Sequence, residues 1–230
     1  MPVTENIAII TGVRNEADAF RRDDAVERFD SPFGPIRQLD HDGKQVTILC
    51  SGIGKVHAGA AALYMHGRFA PDLFLVIGTA GHVSAKQGDC FYLGESLQAD
   101  YGTLEKFGQH DGFTHYNAGA WPIGPADWSP FTAHPMPEAL ALPQARIATA
   151  DCFVKCPDRS GYLRDVLQAD LVDMETAAVA QIASLLEIPW AGIKAVSDGA
   201  NGNSSDDFHA NLEAAATRAA DAAARFLTLL

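Results

Sequence analysis

Two stretches, Val172-Asp173-Met174-Glu175-Thr176-Ala177-Ala178 and Ile193-Lys194-Ala195-Val196-Ser197-Asp198-Gly199, set the carboxylates Glu175 and Asp198 at the two ends of one helix-plus-strand unit. From Met174 the apolar residues Ala177, Ala178, Ile182 and Leu185 share one helical face, which predicts a helix that ends before Pro189. Trp190 to Val196 then reads as a buried strand. In open α/β sheets ligands sit beyond the carboxyl ends of strands, and Asp198 falls just past one. Glu175 lies in the first turn of its helix, where the helix dipole favours a negative charge. A third acid, Glu16, follows the Thr11-Gly12 turn. Carboxyl groups placed this way can exchange protons with a ligand or accept hydrogen bonds from its hydroxyls.

The elements that must hold these acids alternate along the chain. Ile7 to Ile10 reads as a strand leading into a helix with Ala17 and Phe20. Val46 to Cys50 is a second strand, and Ser51 to Lys55 leads into an alanine-rich helix from His57 to Tyr64. Leu73 to Ile77 is continuously apolar between Asp72 and Gly78, the pattern of a buried parallel strand. Phe91 to Leu93 and Ala145 to Thr149 extend the sheet, and a last helix starts at Ser204 or Ser205 with Phe208, Leu212, Ala215, Ala219 and Phe226 on its inner face. Strands alternating with helices predict a mixed, mostly parallel sheet covered on both sides. Residues 98 to 146 break the pattern with glycines at 102, 108, 112, 119 and 124 and six prolines from Pro122 to Pro143, as a functional loop or subunit contact would.

At 230 residues the chain is long enough for one full-sized α/β domain, expected to span 1–230. A formal charge of -12 argues against nucleic acid or an anionic membrane as partner. No run of 18 apolar residues and no signal-peptide pattern is present, so the expected compartment is the cytoplasm. Cys50 and Cys90 read as small core residues, and Cys152 and Cys156 as neighbours of a pocket; no zinc spacing links the four. His110 and His115 lack a third ligand at suitable spacing and read as solvated loop residues rather than a metal site. The Ser51 to Lys55 stretch lacks the spacing of a P-loop, and His57 stands where a dinucleotide fingerprint needs glycine. No cofactor or metal is expected.

Taken in order, Gly12 to Glu16, Ser51-Gly52-Ile53-Gly54-Lys55, Gly78-Thr79-Ala80-Gly81, Gly88-Asp89, Asp151-Cys152-Phe153 and the two acidic stretches resemble the purine nucleoside phosphorylase and nucleosidase superfamily. Within it they resemble the methylthioadenosine/S-adenosylhomocysteine nucleosidases. The resemblance implies a single-domain three-layer α/β sandwich, no cofactor, and cleavage of a purine N-glycosidic bond in a 5′-modified adenosine. Asp198 then corresponds to the acid at the base's N7, which requires a raised pKa, and Glu175 to the residue that clamps the ribose hydroxyls. Glu16 corresponds to the glutamate that positions and activates water. By the same resemblance Phe153 stacks on the purine, the backbone of Val154 reads its edge, and Thr79, Ala80 and Gly81 line base and sugar. Met174 and Ile53 meet the sugar and its 5′ group, Asp173 completes the binding set, and Ser197 and Lys194 support Asp198. Members of this kind usually form homodimers.

Alternatives stay open at this point. Each acid also has a plain reading: Glu16 as a solvated helix residue, Glu175 as a helix-terminal charge, Asp198 as a turn residue with Gly199. Arg14, beside Glu16, hints at phosphate and hence at a nucleoside phosphorylase, whereas a carboxylate at Glu16 would repel phosphate and favours hydrolysis. Futalosine cleavage differs only in the 5′ pocket. A non-catalytic nucleoside-binding protein would not need Glu16.

Overall fold

The computed structural model describes residues 5–20, 27–106, 112–125 and 128–230; His110 and Gly108 lie outside them. Period-2 alternation in β1 (Asn6–Thr11) and β5 (Leu73–His82) serves two buried faces at once. Ala8, Ile10, Phe74 and Val76 cluster with Ala58, Ala61 and Met65 of α2 (Lys55–Phe69) and with Val179 and Ala183 of α4 (Thr176–Leu185). Ile7, Ile9, Leu73 and Leu75 point the other way, toward Ala220, Ala223 and Phe226 of α5 (Ser204–Leu229) and toward Phe20, which ends α1 (Arg14–Ala19). A strand covered on both faces has no polar side to show, which accounts for the unbroken apolar run from Leu73. Helices on one face, the sheet, and helices on the other make the expected three-layer α/β arrangement.

The remaining strands are β2 (Glu27–Phe29), β3 (Ile36–His41), β4 (Lys44–Cys50), β6 (Cys90–Gln98), β7 (Gly102–Leu104), β8 (Phe113–His115), β9 (Phe131–Thr132), β10 (Gln144–Thr149), β11 (Leu171–Asp173) and β12 (Trp190–Asp198). The main sheet runs β11-β10-β6-β12-β5-β1-β4-β3-β2, with β9 added on β6. Pairing is parallel around β1 (with β4 and β5), between β5 and β12, and between β10 and both β6 and β11. It is antiparallel between β6 and β12 and across β2, β3 and β4. One feature was not expected from the sequence: β11 also pairs antiparallel with the end of β5, Leu171 opposite His82 and Val172 opposite Gly81. That pairing closes β5, β12, β6, β10 and β11 into a ring.

Three expectations need adjustment. β5 continues five residues past Ile77, so the strand expected to stop at Gly78 includes Gly78-Thr79-Ala80-Gly81. Residues 98 to 146 are less irregular than their glycines and prolines suggest, since they contain the β7–β8 hairpin, β9 and a 3-10 turn at Glu138–Leu140. Leu185 is not on the buried face of its helix but 72% exposed at the end of α4. The helix α3 (Pro157–Asp165), which the sequence reading passed over, begins with proline at its first turn and buries Tyr162 and Leu163 against Ala148 and Val172.

Gly192 tests the packing of the central strands. A Cβ there would lie 2.6 Å from Cδ1 of the fully buried Leu93 on β6. Gly192→Ala is therefore expected to destabilise the fold by about 1–3 kcal/mol through overpacking, read as a lower urea midpoint at unchanged slope.

Candidate active site

The carboxyl ends of β1, β4, β5, β10, β11 and β12 converge on one cavity of about 440 Å³, a usual size for a small-molecule site. Twelve of the thirteen residues expected from the sequence line it: Glu16; Ile53; Thr79, Ala80 and Gly81; Phe153 and Val154; Asp173, Met174 and Glu175; Ser197 and Asp198. Lys194 does not. It lies 1% exposed beneath the cavity, with Nζ 3.0 Å from Asp173 Oδ2, so it pairs with Asp173 rather than supporting Asp198.

Glu16 is buried and fixed from four directions. Its Oε2 accepts the backbone N–H groups of Gly12 (3.0 Å) and Val13 (3.1 Å), and Oε1 accepts the N–H (2.7 Å) and hydroxyl (2.9 Å) of Thr79. These four donors match the lone-pair capacity of an ionised carboxylate. The space is so close that a Cβ at Gly78 would sit 2.5 Å from the Glu16 carboxyl carbon, at a φ of +148° that other residues rarely adopt. The plain reading of Glu16 as a solvated helix residue is excluded by this burial.

Glu175 stands at the N-cap of α4 and turns its carboxylate back into the cavity, accepting N–H groups of Gly54 (3.1 Å) and Met174 (3.3 Å). Its own helix is capped by its neighbour instead: Asp173 accepts the N–H and hydroxyl of Thr176 and, at 2.6 Å, the hydroxyl of Thr149. Thr149 in turn accepts the N–H of Ala177. Burial pushes the Glu175 carboxyl up to about 7; Lys194 and the Gly54 N–H work against that shift, while Asp173 and Glu16 add to it. For Lys194 burial acts to lower the pKa, yet Asp173, Glu16 and Glu175 outweigh it and hold the ammonium well above the ordinary lysine range.

At the other end of the cavity, the register of β12 against β5 shifts between Val196 and Asp198, so Asp198, not Ser197, comes opposite Gly81. Such a bulge re-aims side chains at a strand end. Asp198 is buried, accepting the Ser197 hydroxyl (2.9 Å) on Oδ2 and the Ala200 N–H (2.9 Å) on Oδ1. Asn211 of α5 donates to the Ser197 carbonyl and ties this turn to the long helix.

The sequence reading missed Gly12, Val13 and Val172, and on α5 Ser205, Phe208 and His209; Cys152, expected beside a pocket, does line it. The signal for the α5 group was Phe208, apolar in a helix's first turns; it packs edge-on against Phe153 with ring centroids 5.8 Å apart. Arg14 is exposed and does not line the cavity. None of the described residues from 98 to 146 lines it either; those near Phe131 border a second cavity at the start of β12 instead. His115, read as a solvated loop residue, is packed among Phe113, Trp128 and Tyr162, with Nε2 2.6 Å from the Tyr162 hydroxyl and burial lowering its pKa to about 4. Cys50 and Cys90 are only partly buried, and Cys152 and Cys156 are exposed.

Comparison with known proteins gives the family and the fold. Residues 6–228 match the model of the phosphorylase superfamily. The chain is 33% identical, over 81% of its length and 82% of the relative's, to a 5′-methylthioadenosine/S-adenosylhomocysteine nucleosidase of Bacillus licheniformis. Its fold is that of the 5′-methylthioadenosine/S-adenosylhomocysteine nucleosidase of Helicobacter pylori, with a TM-score of 0.84 at 22% identity and 99% coverage of both chains. A futalosine hydrolase mutant of Helicobacter pylori is as similar in fold, with a TM-score of 0.84 at 22% identity, covering 98% of this chain and 100% of the other. The chain belongs to the phosphorylase superfamily, in the family of the methylthioadenosine/S-adenosylhomocysteine nucleosidases.

Proposed function

We propose that this protein hydrolyses the N-glycosidic bond of a 5′-modified adenosine such as methylthioadenosine or adenosylhomocysteine. The observation that carries hydrolysis over phosphorolysis is the charge of the cavity wall. Glu16, Asp173, Glu175 and Asp198 line it, and among the described residues no arginine or lysine does. A phosphate dianion would enter a wall of acids with no such cation to hold it, whereas water carries no such penalty.

In this reading Asp198 delivers a proton to N7, and the electrons of the C1′–N9 bond leave with the base. Glu175 accepts hydrogen bonds from the ribose hydroxyls and its charge favours the oxocarbenium-like sugar. Water adds at C1′ and gives its proton to Glu16. Among the four donors on Glu16 the Thr79 hydroxyl is the one on a rotatable bond, so it can turn aside and free a lone pair for that water. Phe153 and Phe208 flank the base, and Ile53, Met174 and Val13 offer apolar surface to a thioether. A binding protein would have no use for a buried, four-fold anchored carboxylate at this point.

The protein also reads as a single unit over 1–230 that acts as a homodimer. Val56 and Leu63 on α2 and Leu185 on α4 are 80%, 54% and 72% exposed on helices that pack against each other, an apolar face suited to a second copy. No described helix is long and apolar enough to cross a membrane, and the four cysteines are free, which suits a reducing compartment such as the cytoplasm.

Incubation with methylthioadenosine, adenosylhomocysteine, adenosine, inosine and futalosine in phosphate-free buffer, followed by chromatography of free base, is expected to show release of adenine from the 5′-thio substrates. Release that appears only after phosphate is added would overturn hydrolysis, and preference for futalosine would reassign the 5′ pocket. Asp198→Asn is expected to lower kcat by about 100-fold or more at unchanged thermal stability with inhibitor binding kept, and Glu16→Gln to lower kcat as much with some loss of stability, since its amide NH2 would face donors that the carboxylate accepts. Turnover within a few-fold of wild type would remove the corresponding role. Light scattering is expected to give twice the chain mass for the wild type and a shift toward monomer for Leu185→Asp.

A further inference from the structure

Lys194 is a buried cation that the reaction scheme above does not use. It sits in the middle of β12, paired with Gly78 of β5 on one side and Phe91 of β6 on the other, so it cannot move away from its surroundings. Three carboxylates face it from three elements: Asp173 at the end of β11, in ion-pair contact at 3.0 Å; Glu175 at the cap of α4; and Glu16 on α1. Asp173 joins Lys194 mechanically to Glu175, because the same carboxylate that takes Nζ also takes the Thr176 N–H and hydroxyl that start α4. Met174 and Glu175 are the two residues between Asp173 and Thr176 on that anchored turn.

The charge count follows. With all three acids ionised and Lys194 protonated the cluster carries -2; without Lys194 it would carry -3 among side chains that are at least nine-tenths buried. Buried like charges relieve themselves by protonating the member whose ionised form is least supported. Glu16 has four donors and Asp173 has the ammonium and two threonines; Glu175 has two backbone N–H groups and is the member to yield.

Resting on the nucleosidase reading of the site, we propose that Lys194 is a positioning residue: through Asp173 it anchors the turn that presents Glu175, and as the cation facing three buried carboxylates it keeps Glu175 ionised toward the sugar. It acts without touching the nucleoside. The direction of the Glu175 shift agrees, since Lys194 lowers its pKa while Asp173 and Glu16 raise it.

The two partners of the ion pair then have opposite effects, which a purely structural pair would not. With methylthioadenosine in phosphate-free buffer, the acid limb of kcat/KM reports the free enzyme's essential base and is expected near 7 for the wild type. Lys194→Met removes a positive charge and should move that limb up by about one pH unit or more, with the rate recovered on the alkaline side. Asp173→Asn removes a negative charge and should move it down, and Lys194→Arg should leave it in place. The 13C titration of the Glu175 carboxyl, assigned with Glu175→Gln, should follow the same order without need of turnover. Loss of rate at every pH with unmoved limbs, or shifts of the same sign in both variants, overturns the proposal. Should Lys194→Met fail to fold, the downward shift in Asp173→Asn decides by itself. A wild type that releases no adenine would count against the nucleosidase reading, while the carboxyl titration would still judge Lys194.

Discussion

The constraint on which the site depends is the burial of three carboxylates around one ammonium. Taking a single charge out of water costs several kcal/mol unless partners replace the lost hydration. Here the replacements are specific: backbone N–H groups at Gly12, Val13 and Thr79 for Glu16, threonine hydroxyls and Lys194 for Asp173, and N–H groups of Gly54 and Met174 for Glu175. The partners come from the ends of β1, β4, β5, β10 and β11, the start of α4 and the middle of β12, so the charges can be held only if those elements meet. The antiparallel contact of β11 with the end of β5 brings Asp173 over Lys194 and closes the ring. The same crowding explains two glycines. A Cβ at Gly12 would lie 3.0 Å from the Glu175 carboxyl carbon, and one at Gly78 would lie within the Glu16 carboxylate.

Asp198 is arranged on different terms. It stands apart from the cluster at the end of β12, held by a bulge and by the turn into α5, and its two donors leave room for a ligand. The cavity is thus polarised, with a crowded anionic end and a single acid opposite. A purine nucleoside presents matching chemistry, hydroxyls and incipient positive charge at the sugar and a protonatable nitrogen at the base. The aromatic pair Phe153 and Phe208 lies among the lining residues with flat apolar surface for the base.

Much of this was legible in the residues. Continuous apolar runs located β5 and β12, because strands buried on both faces leave no alternation to read. The three acids stood out since each follows such a run or opens a helix. What escaped was of two kinds. The Asp42-Gly43 turn, with φ of 54° and 81°, is a strong hairpin signal between β3 and β4 that the reading passed over. The placement of Lys194 could not be read at all, because its side of the strand and its partner depend on β11 folding back on β5, a contact between residues ninety apart. Sequence spacing puts Lys194 four residues from Asp198 and twenty-one from Asp173, and the nearer acid is the wrong partner. Phe208 marked the first turns of α5 as apolar, but a helix pattern shows which face is apolar and not that it overhangs a cavity, so Phe208 and His209 were not placed in the wall.

The direction of the Glu175 shift links stability to catalysis. A carboxyl whose folded-state pKa lies near 7, above the ordinary 4.5, stabilises the fold fully at pH below the ordinary value and loses that contribution as pH rises through 7. Above that pH the empty site holds a charge that the fold would prefer to neutralise. In the proposed reaction a sugar that develops positive charge supplies the missing counter-ion, and it does so more in the transition state than in the ground state, since the substrate itself is neutral at C1′. Interaction that strengthens only as the bond breaks lowers the barrier rather than merely tightening binding. Lys194 sets how far this can go: with it the cluster is anionic yet ionised near neutral pH, and a second cation on the wall would neutralise the field that the sugar needs. The same balance argues for water as the acceptor, because a site tuned to favour a passing cation is by that fact hostile to phosphate.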